Sequence, residues 1–218
     1  MMRLCLAGEH SPPDEARRVM AQHLLSVLSR ECEVEFFDLK RLTSSDQWAR
    51  LKAFNPDVVH YIPGASPVSF LITKVLRARS NAKTVMFSAL NPFMGLSYGF
   101  HSAVYSLSKP LVPHIKADLV LVQSDYAEVT YRRLGCTVKS LVYSGVDLQR
   151  FRPAPQGQKE ELRKKYDVEP DKFVVLHVGS VRKWRNVSCL TEIQKERDNQ
   201  VILVGRASTK YEEDLASA

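Results

Sequence analysis

Short apolar runs alternate with amphipathic stretches along most of the chain. Six runs are predicted as buried strands: Arg3–Ala7, Glu33–Phe37, Asp57–Ile62, Lys83–Phe87, Asp118–Gln123 and Val138–Val142. Apolar residues recur at helical spacing between them, which predicts helices over Asp14–Ser29, Gln47–Ala53, Val68–Arg79, His101–His114 and Asp125–Leu134. Strands that are apolar on both faces and alternate with helices indicate a parallel sheet covered on both sides. The predicted fold class is α/β, with a Rossmann-like parallel sheet.

The pattern is interrupted after residue 150 and then starts again. A proline-rich segment precedes a charged helix, predicted over Gln158–Tyr166. Next come a strand, a helix, a strand and the beginning of a further helix: Phe173–Val178, Val187–Arg197, Val201–Val204 and Lys210–Ala218. A single βαβ unit buries too little surface to be stable alone. We therefore expect a first domain over 1–150, a hinge over 151–171, and over 172–218 the start of a second Rossmann-like domain that is cut short.

Composition places the chain among ordinary globular proteins, since 44% of its residues are hydrophobic and 25% are charged. No stretch approaches the roughly 20 apolar residues of a membrane span. The first apolar run is too short for a secretory signal, so we expect a cytoplasmic protein. Its four cysteines are widely separated and are expected to be reduced thiols in or near the core.

The formal net charge of +7 favours anionic partners, among which are nucleic acids, anionic lipid headgroups and phosphorylated small molecules. No zinc-finger or RNP motif is found, so nucleic acid is not a predicted partner. The charge is compatible with peripheral association with an anionic membrane.

Several segments of the chain resemble retaining glycosyltransferases of family 4 (group 1), which have the GT-B fold. They are ADLVLVQS at 117–124, SGVDLQRFRP at 144–153, KFVVLHVG at 172–179 followed by VILVG at 201–205, and, more weakly, NPDVVH at 55–60. The resemblance implies that the first domain shapes the acceptor pocket and that the second holds the nucleotide sugar. It implies transfer of a hexose from a UDP- or GDP-sugar to a hydroxyl acceptor (a sugar or a lipid-linked molecule), with retention of configuration.

The same resemblance implies no metal ion and no cofactor, because the nucleotide sugar is a co-substrate. The acidic E-x7-E segment that grips the donor in such enzymes would lie beyond residue 218, so this chain alone is expected to be inactive. Three positions depart from the family's usual residues. Glu9 follows Gly8, where the family often has a second glycine. Ser88 lies after the fourth strand, where the family often has a histidine, and Ser180 occupies the position of a frequent arginine.

The predicted donor site is a basic loop between a strand and a helix. Arg182, Lys183 and Arg185 are its cations, and the resemblance assigns them to the donor diphosphate. Cations there would stabilise the negative charge that develops on the leaving group, so Arg185 is also a predicted catalytic residue. Gly8 closes the first strand before a helix and is a second candidate for the diphosphate. The alternatives are a solvated basic turn and an ordinary strand–helix turn.

The predicted acceptor side lies at the carboxyl ends of the first domain's strands, where such sheets bind ligands. His60 is the candidate for proton transfer or for a hydrogen bond to the acceptor hydroxyl; alternatively it bonds a neighbouring backbone group. His10, Ser88 and Asn91 are candidates for acceptor binding, although His10 also fits a surface histidine. The apolar loop over 91–98 suits a lipid-linked acceptor, a membrane interface, or packing beneath another domain.

Two other functions remain open from the residues alone. A non-catalytic relative would keep the fold and bind a sugar or a partner protein. A dinucleotide-dependent Rossmann enzyme would need G-x-G-x-x-G after a strand, and this run is absent. The oligomeric state is left undetermined.

Overall fold

The computed structural model of the chain describes residues 1–9, 16–64, 66–88, 110–141, 145–155, 157–181, 185–205, 209–210 and 213–214. The chain divides into two compact units, Met1–Gly145 and Val146–Ala218. The predicted hinge over 151–171 and the predicted domain limits around it stay predictions.

The first unit is built on a parallel sheet. Its strands are β1 (Arg3–Gly8), β2 (Glu33–Asp38), β3 (Val58–Tyr61), β4 (Lys83–Ser88), β5 (Leu119–Val122) and β6 (Val138–Ser140). They are ordered β2-β1-β3-β4-β5-β6, and each neighbouring pair is parallel. The predicted Rossmann-like parallel sheet is confirmed. Predicted strand ends differ from the observed ones by one or two residues.

The helices of the first unit are α1 (Ala16–Leu28), α2 (Ser45–Phe54), α3 (Pro67–Ser80), α4 (Val112–Ile115) and α5 (Asp125–Arg133). The helix predicted over His101–His114 is wrong in its extent for the residues that the structure describes. Residues 101–109 lie outside the described part, and α4 begins only at Val112 with a proline in its first turn. Proline is tolerated there because the N–H groups of the first turn have no acceptor within the helix, so no helical hydrogen bond is lost.

Polar caps fix where these helices begin and end. Ser66 Oγ accepts the backbone N–H of Ser69 at the start of α3, and Ser124 Oγ accepts the backbone N–H of Ala127 at the start of α5. Both α2 and α3 end at an asparagine with positive φ, Asn55 and Asn81, which is the left-handed geometry of a helix C-terminus.

The core lies on both faces of the sheet. Side chains alternate between faces along each strand, so Cys5, Ala7 and Val59 pack with Phe70 and Tyr131 on one face. Leu4, Leu6 and Ile62 pack against α1 on the other. The expected two-sided covering is therefore confirmed.

The second unit contains one βαβ motif. After α6 (Gln158–Lys165) come β7 (Phe173–Val178), α7 (Cys189–Lys195) and β8 (Asn199–Val204), with β7 parallel to β8. Helix α7 is shorter than the predicted Val187–Arg197, and β8 begins two residues earlier than the predicted Val201. The polar pair Asn199 and Gln200 can enter the strand because their side chains bond backbone groups of Ile193, Glu169 and Asp167.

Cys5 and Cys136 are buried, whereas Cys189 is exposed at the start of α7 and not in the core as predicted. All four cysteines are free thiols. Within the part of the chain that the structure describes, no helix is both long and apolar enough to cross a bilayer.

Candidate functional site

The strand order of the first unit predicts a ligand site between β1 and β3. The chain passes from β1 to β2 on one side of β1, and from β2 it crosses to β3 on the other side. Parallel sheets bind ligands beyond the carboxyl ends of their strands where the direction reverses in this way. Gly8 is the last residue of β1 and His60 the next-to-last residue of β3. The structure therefore brings these two predicted site residues to neighbouring strand ends.

Gly8 has a packing reason to be a glycine. A Cβ at this position would lie 3.3 Å from both Cβ and Cδ1 of Ile62, which is closer than side chains normally pack. The residue is buried, as are the other residues of β1 from Leu4 onward. Its predicted role at a diphosphate stays a prediction, and the contact with Ile62 is an independent reason for the missing side chain.

A carboxylate stands directly after Gly8. Glu9 Oε2 lies 3.0 Å from Nη2 of Arg18 and 3.3 Å from Nζ of Lys40. Partial burial would raise the pKa of Glu9, but the hydrogen bonds and charges of Arg18 and Lys40 outweigh it and lower that pKa. An anion bound at this turn would meet repulsion from the carboxylate unless one of the two cations turned toward it.

His60 is buried within the sheet and is electrically neutral. It pairs in register with Leu6 and Val85, and only 7% of its surface is exposed. Burial lowers its pKa to about 4, because a charged imidazole is poorly solvated there. At neutral pH the side chain can form hydrogen bonds but contributes no positive charge, and burial disfavours its protonation.

Ser88 lies on the opposite face of the sheet from His60. Val85 is paired with His60, and alternation along β4 places Ser88 on the other face, with Met86. Ser88 Oγ is 2.7 Å from the hydroxyl of Tyr131 on α5, and 2% of the residue is exposed. Burial raises the pKa of Tyr131. The structure therefore does not bring Ser88 and His60 together.

A hydroxyl network that sequence reasoning missed organises the loop after β3. Tyr61 Oη donates to Ser69 Oγ at 3.2 Å, and Ser69 Oγ donates to the carbonyl of Gly64 at 3.0 Å. Ser66 Oγ is 2.8 Å from Ser69 Oγ. The serine spacing at the start of α3 was the available signal, since it is typical of a helix N-terminus. These bonds hold one of the loops expected to face a ligand.

In the second unit, Arg185 lies against the end of β7. A Cβ on Gly179, the residue after β7, would come within 2.6 Å of Nη1 of Arg185 and 3.7 Å of Nε2 of His177. Gly179 has a φ of +148°, a conformation that side chains disfavour. Gly205 follows β8, and a Cβ there would overlap the carbonyl oxygen of Gly179. The ends of β7 and β8 therefore lie together, each followed by a glycine. Arg185 and His177 lie beside Gly179 at this edge of the sheet.

Four predicted site residues lie outside the described part of the chain: His10, Asn91, Arg182 and Lys183. His177 was not predicted as a site residue from the sequence. A histidine inside an otherwise apolar strand could have indicated one. Among the described residues, no group of three or more His, Cys, Asp or Glu side chains is arranged to hold a metal ion.

Comparison with known structures settles the fold. The whole chain superposes on three crystal structures of Alr3699/HepE from Anabaena, in complex with UDP and glucose, with UDP, and with UDP-glucose. Their TM-scores are 0.66, 0.63 and 0.64, at sequence identities of 16%, 15% and 17%. The chain shares the fold of HepE.

Each match covers 100% of this chain but only 64% of HepE, so this chain spans less than two thirds of the HepE length. No protein-family model matches the chain, and no curated protein sequence matches it significantly. The likeness thus rests on three-dimensional structure and establishes the α/β fold predicted from the sequence.

Proposed function

We propose that the chain is the acceptor-side domain and the opening of the nucleotide-sugar domain of a retaining GT-B glycosyltransferase. It would move a hexose from a UDP- or GDP-sugar to a hydroxyl of a sugar or lipid-linked acceptor. Two findings support this: motifs resembling family 4, and a fold shared along the whole chain with a protein crystallised with UDP and UDP-glucose. The observation that carries the proposal is Arg185 at the glycine end of β7.

Arg185 is suited to the leaving diphosphate. When the bond between the sugar and the diphosphate breaks, negative charge grows on phosphate oxygens, and a guanidinium beside them stabilises that charge more than it stabilises the ground state. Gly179 has no side chain, so a phosphate can approach its backbone. We propose that Arg182 and Lys183 complete this diphosphate site. Gly8 of the first unit stays a separate proposed diphosphate-binding residue.

On the first unit, we propose that His60 bonds the acceptor hydroxyl, with His10, Ser88 and Asn91 as further acceptor contacts. Because burial keeps His60 uncharged at neutral pH, its part would be a hydrogen bond to that hydroxyl. We further propose a cytoplasmic protein that associates peripherally with anionic membranes, a location that the net charge of +7 favours.

A thermal-shift screen of the full-length protein against UDP- and GDP-sugars tests the proposal. A sugar nucleotide present at about 100 times its dissociation constant stabilises the folded state by roughly 2.7 kcal/mol, so the unfolding temperature should rise clearly. The rise should be smaller in Arg185→Ala and unchanged in Arg50→Ala, a surface arginine of α2. If the wild-type protein responds to no UDP- or GDP-sugar, the proposed function is wrong.

A second candidate is a protein that binds a nucleotide sugar without turning it over. It is favoured by the placement of two first-unit candidates in packed surroundings, since Ser88 bonds Tyr131 and His60 is almost fully buried. Release of free UDP or GDP over time separates the two, when it is measured with the sugar nucleotide that gives the largest thermal shift and with sugar and lipid-linked acceptors present. Binding without release supports the second candidate.

A further inference from the structure

His177 presents a polar atom that the described residues leave unsatisfied. The residue is the fifth of six in β7 and is half-buried, but its Nε2 atom is closed to solvent and has no hydrogen-bond partner among the described residues. A buried polar atom without a partner destabilises the fold, and most buried polar atoms in folded proteins have a hydrogen-bond partner. We therefore expect Nε2 to form a hydrogen bond with a group that binds here.

The surroundings of Nε2 point to an oxyanion as that partner. The imidazole nitrogen and Nη1 of Arg185 both border the space over Gly179, at 3.7 Å and 2.6 Å from where a Cβ would stand. An imidazole in its Nε2–H form and a guanidinium are both hydrogen-bond donors. Two donors over a bare backbone suit a phosphate group, since phosphate oxygens are pure acceptors and carry negative charge.

The two groups differ in mobility. Arg185 is exposed, and its long side chain has several rotamers, so the guanidinium can shift from Gly179 and stay beside a bound anion. His177 is held in β7, where its backbone pairs with Leu203 of β8. An anion can therefore enter beside Gly179 by displacing the guanidinium, and it then meets a nitrogen whose position is already set.

We propose that His177 is a donor-binding residue whose Nε2–H donates a hydrogen bond to a phosphate oxygen of the nucleotide-sugar diphosphate, next to Arg185. This inference rests on the proposed function and adds to it a residue that neither the motifs nor the comparisons assign. No chemical step is assigned to His177. The imidazole holds the diphosphate in place while Arg185 supplies the charge.

Binding of UDP, GDP and inorganic pyrophosphate to the full chain, measured by isothermal titration calorimetry, tests the proposal. His177→Leu removes the nitrogen and should weaken binding of the preferred nucleotide about tenfold or more, because a hydrogen bond to a charged group is lost. His177→Gln retains an amide donor at a similar reach and should stay within about threefold of wild type. His23→Leu, a change at an exposed histidine of α1, is the matched control and should bind like wild type.

A second measurement avoids dependence on the folding of a variant. In the wild-type chain with ¹⁵N-labelled histidine, the Nε2 signal of His177 should move on saturation with the nucleotide that binds. Unchanged affinity in His177→Leu, or an unmoved Nε2 signal, overturns this inference while leaving the proposed function standing. If the full-length wild-type protein binds none of UDP, GDP and pyrophosphate, the proposed function itself fails and this inference falls with it.

Discussion

At the scale of single residues, the structure separates side chains that the sequence analysis assigned to the same site. His60 and Gly8 lie at neighbouring strand ends on the α1 side of the sheet, whereas Ser88 lies on the other side against Tyr131. In the second unit, Gly179, Arg185 and His177 converge on one strand end. The positions of individual side chains therefore favour a donor site at β7 more strongly than an acceptor site built from His60 and Ser88 together.

Replacing Gly205 tests the close approach of the two strand ends. A Cβ in Gly205→Ala would overlap the Gly179 carbonyl oxygen and lie 2.6 Å from its carbon. Because backbone cannot move aside as a side chain does, we expect a loss of stability of about 1–3 kcal/mol or more. Denaturant unfolding monitors it, with Gly64→Ala as control, since a Cβ on Gly64 meets nothing within 4 Å. Equal stability of the two variants would contradict the contact.

His60 makes stability depend on pH in a definite direction. Its pKa falls from 6.5 in the unfolded chain to about 4 in the fold, so the folded state resists protonation. The stabilising contribution is complete above pH 6.5 and is lost as pH falls toward 4, amounting to about 3 kcal/mol at most. Between pH 7 and pH 4, the free energy of unfolding should therefore fall more in wild type than in His60→Gln.

Comparison with His60→Gln is needed because Glu9 and Asp118 also lose stabilising charge in acid, since both have lowered pKa values. Their contributions are common to both proteins and cancel in the difference. Parallel pH curves for wild type and His60→Gln would show that burial does not suppress protonation of His60.

At the scale of elements, side chains just outside the strands hold the layers together. Asp118, which precedes β5, accepts hydrogen bonds from the backbone N–H and the hydroxyl of Thr84 at the start of β4. Its other oxygen faces Arg77 on α3 at 3.3 Å. Partial burial would raise the pKa of Asp118, but the bonds from Thr84 and the charges of Arg77 and Lys83 lower it. One carboxylate thus ties two strands to a helix.

Asp118→Asn should weaken this junction. The amide keeps the shape of the carboxylate but has one acceptor oxygen and no charge, so the fold should lose about 1–3 kcal/mol. Asp125→Asn is the matched control, because Asp125 is exposed in the first turn of α5 and should change stability by about 0.5 kcal/mol or less. The free energy of unfolding in urea measures both. Similar losses in the two variants would argue against a special role of Asp118.

At the scale of the whole molecule, the two units differ in how completely they bury their apolar residues. The first has a core on each face of its sheet. In the second, Leu176 and Val178 of β7 remain 57% and 68% exposed. Since apolar burial drives folding, the first unit has what an independent domain requires, and the second has much less.

A polypeptide of residues 1–145 should therefore fold by itself. We expect a single cooperative thermal transition and helical circular dichroism, because α1, α2, α3 and α5 all pack on its own sheet. Residues 146–218 alone should show no cooperative transition, since a two-stranded sheet is at best marginal in water. A non-cooperative melt of residues 1–145 would contradict this division.

The proposed membrane association is tested with vesicles. The full chain should sediment with vesicles that contain anionic lipid and not with purely zwitterionic ones, and binding should fall as salt is raised toward 0.5 M, because the attraction comes from net charge. Equal binding to both kinds of vesicle, or to neither, would remove this part of the proposal.

The local pattern of the sequence determined the strands, most helices, the parallel sheet and the restart after residue 150. These follow from the spacing of apolar residues, which reports the face that each element buries. Errors fell at element ends such as the start of β8, where the side chain of Gln200 bonds backbone groups of Glu169 and Asp167, far along the chain. Arg185 and Gly8 were predicted as site residues from a basic loop and a strand end, which are local features, and their roles stay predictions.

Only the tertiary structure decided which residues meet. Strand register placed His60 and Ser88 on opposite faces of the sheet, and the pairing of β7 with β8 pressed Gly205 against Gly179. It also closed Nε2 of His177 to solvent beside Arg185. Such contacts depend on pairing between segments distant in sequence, and the periodicity within one segment carries no information about which segment will lie beside it.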